Sequence, residues 1–137
     1  MIKGLSHITF VVKNLECSTL FFKNIFGAEE IYSSGDKTFS LSKEKYFLVN
    51  ELWICIMESE TTIERTYHHI AFNIQENEFD DYMKKIKDIG AEIRPERPRV
   101  IGEGRSIYFY DFDNNLFELH TGSLDERLHR YSQDNYR

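Results

Sequence analysis

The sequence predicts an α+β fold built from two βαβββ units in tandem, and three observations predict it. The strand-like segments Leu5-Ser6-His7-Ile8-Thr9-Phe10 and Tyr67-His68-His69-Ile70-Ala71-Phe72 share one pattern in the two halves of the chain. Each is followed by apolar residues at helical spacing that stop at a glycine, Gly27 or Gly90. Each half then closes on short extended apolar segments, so element order repeats as well as pattern.

The first unit covers about residues 4–57. Residues 5–12 alternate as a strand, with His7, Thr9 and Val11 on one face. Asn14 caps a helix over about 15–26, and Gly27 occupies the C′ position. Ala28–Tyr32 reads as a strand and Ser33-Ser34-Gly35-Asp36 as a turn. Thr38–Leu41 and Leu52–Met57 read as further strands, on either side of a loop holding Ser42-Lys43-Glu44-Lys45. Residues 58–66 form a linker.

The second unit covers about 67–120. Asn77 is the expected N-cap of a helix carrying Phe79, Tyr82, Met83, Ile86 and Ile89. Acids lie early in that helix and lysines late, as the helix dipole favours. Gly90-Ala91-Glu92-Ile93 answers Gly27-Ala28-Glu29-Glu30. Strands 106–110 and 116–120, joined by the turn Asp113-Asn114-Asn115, answer 38–42 and 52–56. Ser123-Leu124-Asp125-Glu126 is a capping box that opens a last helix over about 123–131. The whole chain, 1–137, is thus expected to be a single domain of two repeats.

Composition narrows the function. The formal net charge of −6 argues against a nucleic-acid or anionic-membrane surface. Arginines cluster locally at Arg94, Arg97, Arg99 and Arg105, which leaves room for a small anionic ligand. Cys17 and Cys55 lack metal-type spacing and read as a reduced pair. With no leader peptide or spanning segment visible, a cytoplasmic protein is expected.

Three polar residues interrupt apolar strands: His7, His69 and Glu118. A carboxylate buried there costs several kcal/mol unless something cationic meets it. Two imidazoles and one carboxylate can hold a divalent metal and leave positions open. The repeat aligns Ile54 with Glu118, which gives three protein ligands rather than four. His120 shares a face with Glu118 as a possible supporting residue, and His68 points to the opposite face. Read singly, Glu44 is a solvated loop acid, Arg97 and Arg127 are surface charges, and Tyr108 and Trp53 are core aromatics.

Taken together, these residues resemble the vicinal-oxygen-chelate superfamily (glyoxalase, bleomycin resistance and dioxygenase proteins). Within it they are most similar to the fosfomycin-resistance epoxide hydrolases of the FosX type. The resemblance spans about residues 2–131. It rests on Gly4-Leu5-Ser6-His7-Ile8-Thr9, Glu64-Arg65-Thr66-Tyr67-His68-His69-Ile70-Ala71-Phe72, Gly102-Glu103-Gly104-Arg105-Ser106-Ile107-Tyr108-Phe109 and Phe117-Glu118-Leu119-His120.

The resemblance implies a homodimer whose metal sites each take His7 from one chain and His69 and Glu118 from the other. It implies Mn2+, with other divalent metals able to substitute, and fosfomycin as substrate with water as co-substrate. Glu44 takes the place of the general base. Thr9, Tyr108, Arg97 and Arg127 take the place of phosphonate contacts, with Arg94 and Arg99 as alternatives to Arg97. Tyr67 and Trp53 line the pocket. The related thiol transferases, which add bacillithiol, cysteine or glutathione, carry a serine-rich potassium loop where this chain has Gly102-Glu103-Gly104-Arg105, and the Arg105 guanidinium is expected to replace that cation. Those enzymes lack a base at the Glu44 position. A thiol transferase is therefore the second expectation, and a non-catalytic drug-binding protein on the same fold the third.

Overall fold

Asn14 and Gly27 bracket the first helix as the sequence predicts. In the computed structural model, which describes residues 1–60 and 62–134, α1 runs Leu15–Phe26. The Asn14 side chain accepts from the Cys17 amide, and Gly27 sits in the left-handed region at φ 62°, where a side chain is strained. Around it lie β1 (His7–Val12), β2 (Glu29–Ser33), β3 (Glu44–Val49) and β4 (Leu52–Glu58). The second half repeats the order as β5 (His69–Asn73), α2 (Phe79–Asp88), β6 (Ile93–Arg94), β7 (Ser106–Tyr110) and β8 (Leu116–His120). A last helix, α3, runs Leu124–Asp134. Among the described residues no helix is long and apolar enough to cross a membrane.

Two compact units divide the chain. One holds Met1–Arg65 with Asp111–Asn115; the other holds Thr66–Tyr110 and the chain from Leu116 onward. Each contains one four-stranded sheet, in the orders β1-β4-β3-β2 and β5-β8-β7-β6. In each, the first strand lies parallel to the last, and the remaining pairs are antiparallel.

Strand alternation sorts each sheet into a core face and a site face. Phe10, Val12, Phe47, Ile54 and Ile56 are buried together with Phe21, Phe22 and Ile25 of α1. Phe22 stacks on Phe47 at 5.8 Å between ring centroids. In the second unit Ile107, Phe109, Phe117 and Leu119 are buried, as is Ile86 of α2. Each such side chain contributes roughly 2 kcal/mol by leaving water, which fixes the register and turns the alternate residues to the other face.

Three sequence expectations change. The segment Thr38–Leu41 is not a strand; residues 34–43 loop out, and Phe39 and Leu41 are 74% and 91% exposed. The loop is tied at its base, where the Ser34 amide donates to the Glu44 carbonyl and the Glu44 amide to Ser34 Oγ. The third strand therefore starts at Glu44, the residue expected in a loop. The first-half counterpart of β7 is β3, not 38–42.

Next, the register pairs Thr9 with Cys55 and Ala71 with Glu118. Cys55, not Ile54, thus stands where Glu118 stands in the other unit; Ile54 answers Phe117 and belongs to the core. Gln75 caps a 3-10 turn, Glu76–Glu78, and forms a capping box with Glu78, which is itself the residue before α2; Asn77 lies inside that turn. The Arg105 guanidinium is held by an acid and a ring of its own unit. Its Nη1 bonds Glu76 Oε1 at 3.0 Å, and it lies 3.7 Å over the Phe79 ring. The capping box before α3 holds, with the Glu126 amide donating to Ser123 Oγ at 3.1 Å.

Candidate metal centre and active site

Strand β8 brings Glu118 to the site face of the second sheet, one strand away from His69 on β5. His69 Nε2 lies 3.0 Å from Glu118 Oε1. The other ring nitrogen, Nδ1, is 2.7 Å from the Tyr67 carbonyl, which can only accept, so Nδ1 carries a proton. Nε2 then faces a carboxylate oxygen, and a positive centre between the two is what this pair favours. An imidazole whose far nitrogen is tied to a carbonyl is the usual arrangement of a metal-binding histidine.

The second oxygen of Glu118 is held from behind. Ser106 Oγ donates to Oε2 at 2.5 Å, and Arg99 Nη2 lies 3.5 Å away. His120 Nδ1 is 2.7 Å from Ser106 Oγ. Arg127 Nη2 approaches His120 Nε2 at 3.4 Å, so Nε2 is the accepting nitrogen. The relay Arg127, His120, Ser106, Glu118 fixes the carboxylate rotamer. Burial, helped by the Arg127, Arg99 and Arg97 guanidiniums and opposed by Glu118, pushes His120 below its ordinary pKa, which keeps the ring neutral and able to accept. A cavity of about 330 Å³ opens here, lined by His69, Ala71, Glu118, His120, Ser123 and Arg127 among others.

Tyr108 and the arginine loop complete this side. Burial, with the hydrogen bond from Tyr67 adding, pushes the Tyr108 hydroxyl up to about 12. Tyr67 OH is 3.3 Å from Tyr108 OH, and Arg99 Nη2 is 3.1 Å from it. Arg94 lies over the Tyr67 ring at 5.0 Å and bonds Tyr110 OH. Arg97 Nη2 bonds Glu103 Oε2 at 2.7 Å. Arg99 Nη1 is buried with no hydrogen-bond partner among the described residues.

The first unit presents a separate set of residues on its own site face. His7 stacks on Trp53 at 4.1 Å, and its Nδ1 is 2.9 Å from Ser6 Oγ, leaving Nε2 turned outward. Both His7 and Thr9 are exposed. Glu44 is only 5% exposed, so its strand position overturns the solvated-acid reading. The hydrogen bond from Tyr46 to the Glu44 carboxylate, with burial adding, pushes Tyr46 up to about 12. Burial, then the Glu44 charge, pushes the Cys55 thiol up to about 11. Tyr46 thus stays protonated beside Glu44.

Of the expected ligands, His69 and Glu118 are brought together, with Tyr67, Tyr108 and Arg127 around them. His7, Thr9, Trp53 and Glu44 gather on the first sheet. Among the described residues, no group of three or more His, Cys, Asp or Glu side chains is assembled within one chain to hold a metal. Sequence reasoning missed Ser106 and Tyr46, and held Arg99 only as an alternative to Arg97. Alternation along 106–110 places Ser106 beside Tyr108 and opposite His120, so that signal was available. Tyr46 was hidden because its strand was read as a loop.

A family model described as the Glyoxalase/Bleomycin resistance protein/Dioxygenase superfamily matches residues 4–119. The chain is 67% identical over 133 residues to the fosfomycin resistance protein FosX of Listeria monocytogenes, covering 97% of this chain and 100% of that one. It is 54% identical over 130 residues to FosX of Mesorhizobium japonicum, covering 95% and 94%. Metallothiol transferase FosB of Staphylococcus haemolyticus is more distant, 36% identical over 137 residues with 97% and 94% covered. A crystal structure of a Listeria monocytogenes FosX mutant complexed with Mn(II) and 1S,2S-dihydroxypropylphosphonic acid matches with a TM-score of 0.90 at 68% identity, covering 95% of this chain and 100% of that one.

Proposed function

The chain belongs to the glyoxalase/bleomycin resistance protein/dioxygenase superfamily, and from that premise we propose that it is a Mn2+-dependent epoxide hydrolase that confers fosfomycin resistance. The observation that carries the reading is the buried Glu44 carboxylate, on the same sheet face as His7 and Thr9. A thiol transferase has no use for such a base. The identity to FosX, against the lower identity to FosB, supports the same choice, as does the diol phosphonate held by the FosX structure.

His7, His69 and Glu118 hold the metal, and their donor set of two imidazoles and a carboxylate suits Mn2+ as well as other divalent ions. When bound, the metal supplies Lewis acidity to the epoxide oxygen. Glu44 accepts a proton from water as the water oxygen bonds C1 and the C1–O bond of the ring breaks. That proton, or one from solvent, completes the second hydroxyl of the vicinal diol. Tyr108, Arg97 and Arg127 hold the phosphonate together with Thr9, and the open donor of Arg99 makes it a further contact. Tyr67 and Trp53 line the pocket. Both units act as one domain in this reading, in the cytoplasm, where Cys17 and Cys55 are the free thiols of the chain.

Incubation of purified protein with Mn2+ and fosfomycin, without any thiol, should yield the diol by phosphorus NMR. Product seen only after bacillithiol, cysteine or glutathione is added would move the assignment to thiol transfer.

The working unit is a homodimer with shared metal sites. The exposure of His7 and Thr9 supports this, because a metal ligand and a substrate contact on an open sheet face need covering. Inactive His7→Ala and inactive Glu118→Ala chains, mixed and allowed to exchange, should recover about a quarter of wild-type activity. Random exchange makes half the dimers hybrid, and each hybrid holds one complete site. No recovery despite measured subunit exchange would place all three ligands in one chain.

A further inference from the structure

Glu103 is a buried carboxylate that the chemistry above does not use. It is 3% exposed and sits between the loop after β6 and the last helix. Three donors saturate it. Arg97 Nη2 reaches Oε2 at 2.7 Å, Tyr131 OH reaches the same oxygen at 2.6 Å, and the Val100 amide reaches Oε1 at 2.9 Å. These bonds hold the carboxyl down to about 2, the Arg97 bond most strongly.

The backbone is locked beside it. A Cβ on Gly104 would lie 2.7 Å from the Gly122 nitrogen, and one on Gly122 would lie 2.9 Å from the Glu103 carbonyl. Only glycine permits that approach. The loop is therefore pressed against the residues that open α3.

Each partner of Glu103 is adjacent to a cationic arm of the site. Val100 follows Arg99, whose Nη2 meets Ser106 Oγ at 2.7 Å and Tyr108 OH at 3.1 Å. Tyr131 lies four residues after Arg127, on the same face of α3, and Arg127 lines the cavity. Arg97 is bound directly. We propose that Glu103 is a positioning residue that sets the loop bearing Arg97 and Arg99 and, through Tyr131, the helix bearing Arg127, so that one buried charge aims three guanidiniums at a tetrahedral oxyanion. The proposal rests on the reading of this site as a phosphonate site.

The test is sulfate binding to the Mn2+-loaded protein by calorimetric titration, alongside KM and kcat for fosfomycin and thermal melting. Glu103→Gln keeps the shape and the Val100 bond but loses the charge that holds Arg97. It should weaken sulfate about tenfold and raise KM by a similar factor, more than it lowers kcat, with Mn2+ affinity by EPR unchanged. Tyr131→Phe should weaken sulfate about threefold, and the double variant should fall short of the product of the two, because both act through one network. Glu103→Asp should restore part of the affinity.

A purely structural role would lower the melting temperature and leave sulfate affinity and KM of the folded protein at wild-type values; that result overturns the proposal. Effects of the two variants that multiply would overturn it as well. Should Glu103→Gln fail to fold, sulfate affinity in Tyr131→Phe alone decides, with loss supporting the proposal and no change defeating it. Sulfate binding requires no turnover. A protein that binds sulfate through Glu103 yet leaves fosfomycin intact would overturn the hydrolase reading and not this one.

Discussion

Glu118→Ala should lower Mn2+ affinity by more than about 100-fold, since residues that merely orient a metal ligand already cost 10–100-fold when removed. Two effects combine. The variant deletes the oxygen that faces His69 Nε2 at 3.0 Å. It also strips the buried Arg99 guanidinium of the carboxylate 3.5 Å away, leaving a positive charge beside the place where a cation must sit. Glu118→Gln retains the shape and the Ser106 bond, so its loss should be smaller than that of alanine. EPR titration of free Mn2+ gives the affinity directly, and turnover at saturating metal gives the chemical consequence. Wild-type affinity in Glu118→Ala would remove this residue from the coordination shell and, with it, the reason for a carboxylate inside an apolar strand.

Glu44→Gln should bind Mn2+ and phosphonate as wild type does and form diol about 10²–10⁴-fold more slowly, the usual worth of a general base. The amide retains the shape of the carboxylate, so the strand and its neighbours stay in place, and the loss isolates proton transfer. An added thiol, which needs no base in its thiolate form, should react in this variant faster than water does. The decisive measurement is the single-turnover rate of diol formation. A rate near wild type would release Glu44 from its role and require another proton acceptor.

Elements whose signals are local were legible in the sequence. Helix α1 begins after Asn14 and ends before Gly27 because a cap and a left-handed glycine act on their own few residues. The strands carrying His69 and Glu118 declared themselves by a polar residue in an apolar alternation. Residues 38–49 were misread because Thr38-Phe39-Ser40-Leu41 alternates as well as the true strand does. What decides between them is the pairing of Ser33 with Lys45 and Tyr32 with Tyr46, a tertiary choice. The same slip hid the burial of Glu44 and the neighbourhood of Tyr46. The alignment of Ile54 with Glu118 failed by one residue, and in a strand one residue exchanges the two faces. The arginine loop was the least legible part. Four arginines look alike in sequence, and only their partners separate them: Arg94 with Tyr110, Arg97 with Glu103, Arg99 with Ser106, Arg105 with Glu76.

The first unit recruits Asp111–Asn115 from far along the chain, and that bears on how the protein is made. The Lys13 amide donates to Asp113 Oδ1, Asn114 Nδ2 donates to the Ile63 carbonyl, and Arg65 Nε donates to Asn114 Oδ1. A nascent chain that has cleared the ribosome only as far as the linker cannot form these bonds. Nor can β1 pair with its parallel neighbour until β4 has been synthesised, since parallel strands have no hairpin to join them. Contacts so distant in sequence slow folding. The two repeats look separable on paper, but severing the gene at the linker would deprive the first fragment of its closing turn, and maturation of the His7 sheet waits on translation of the second.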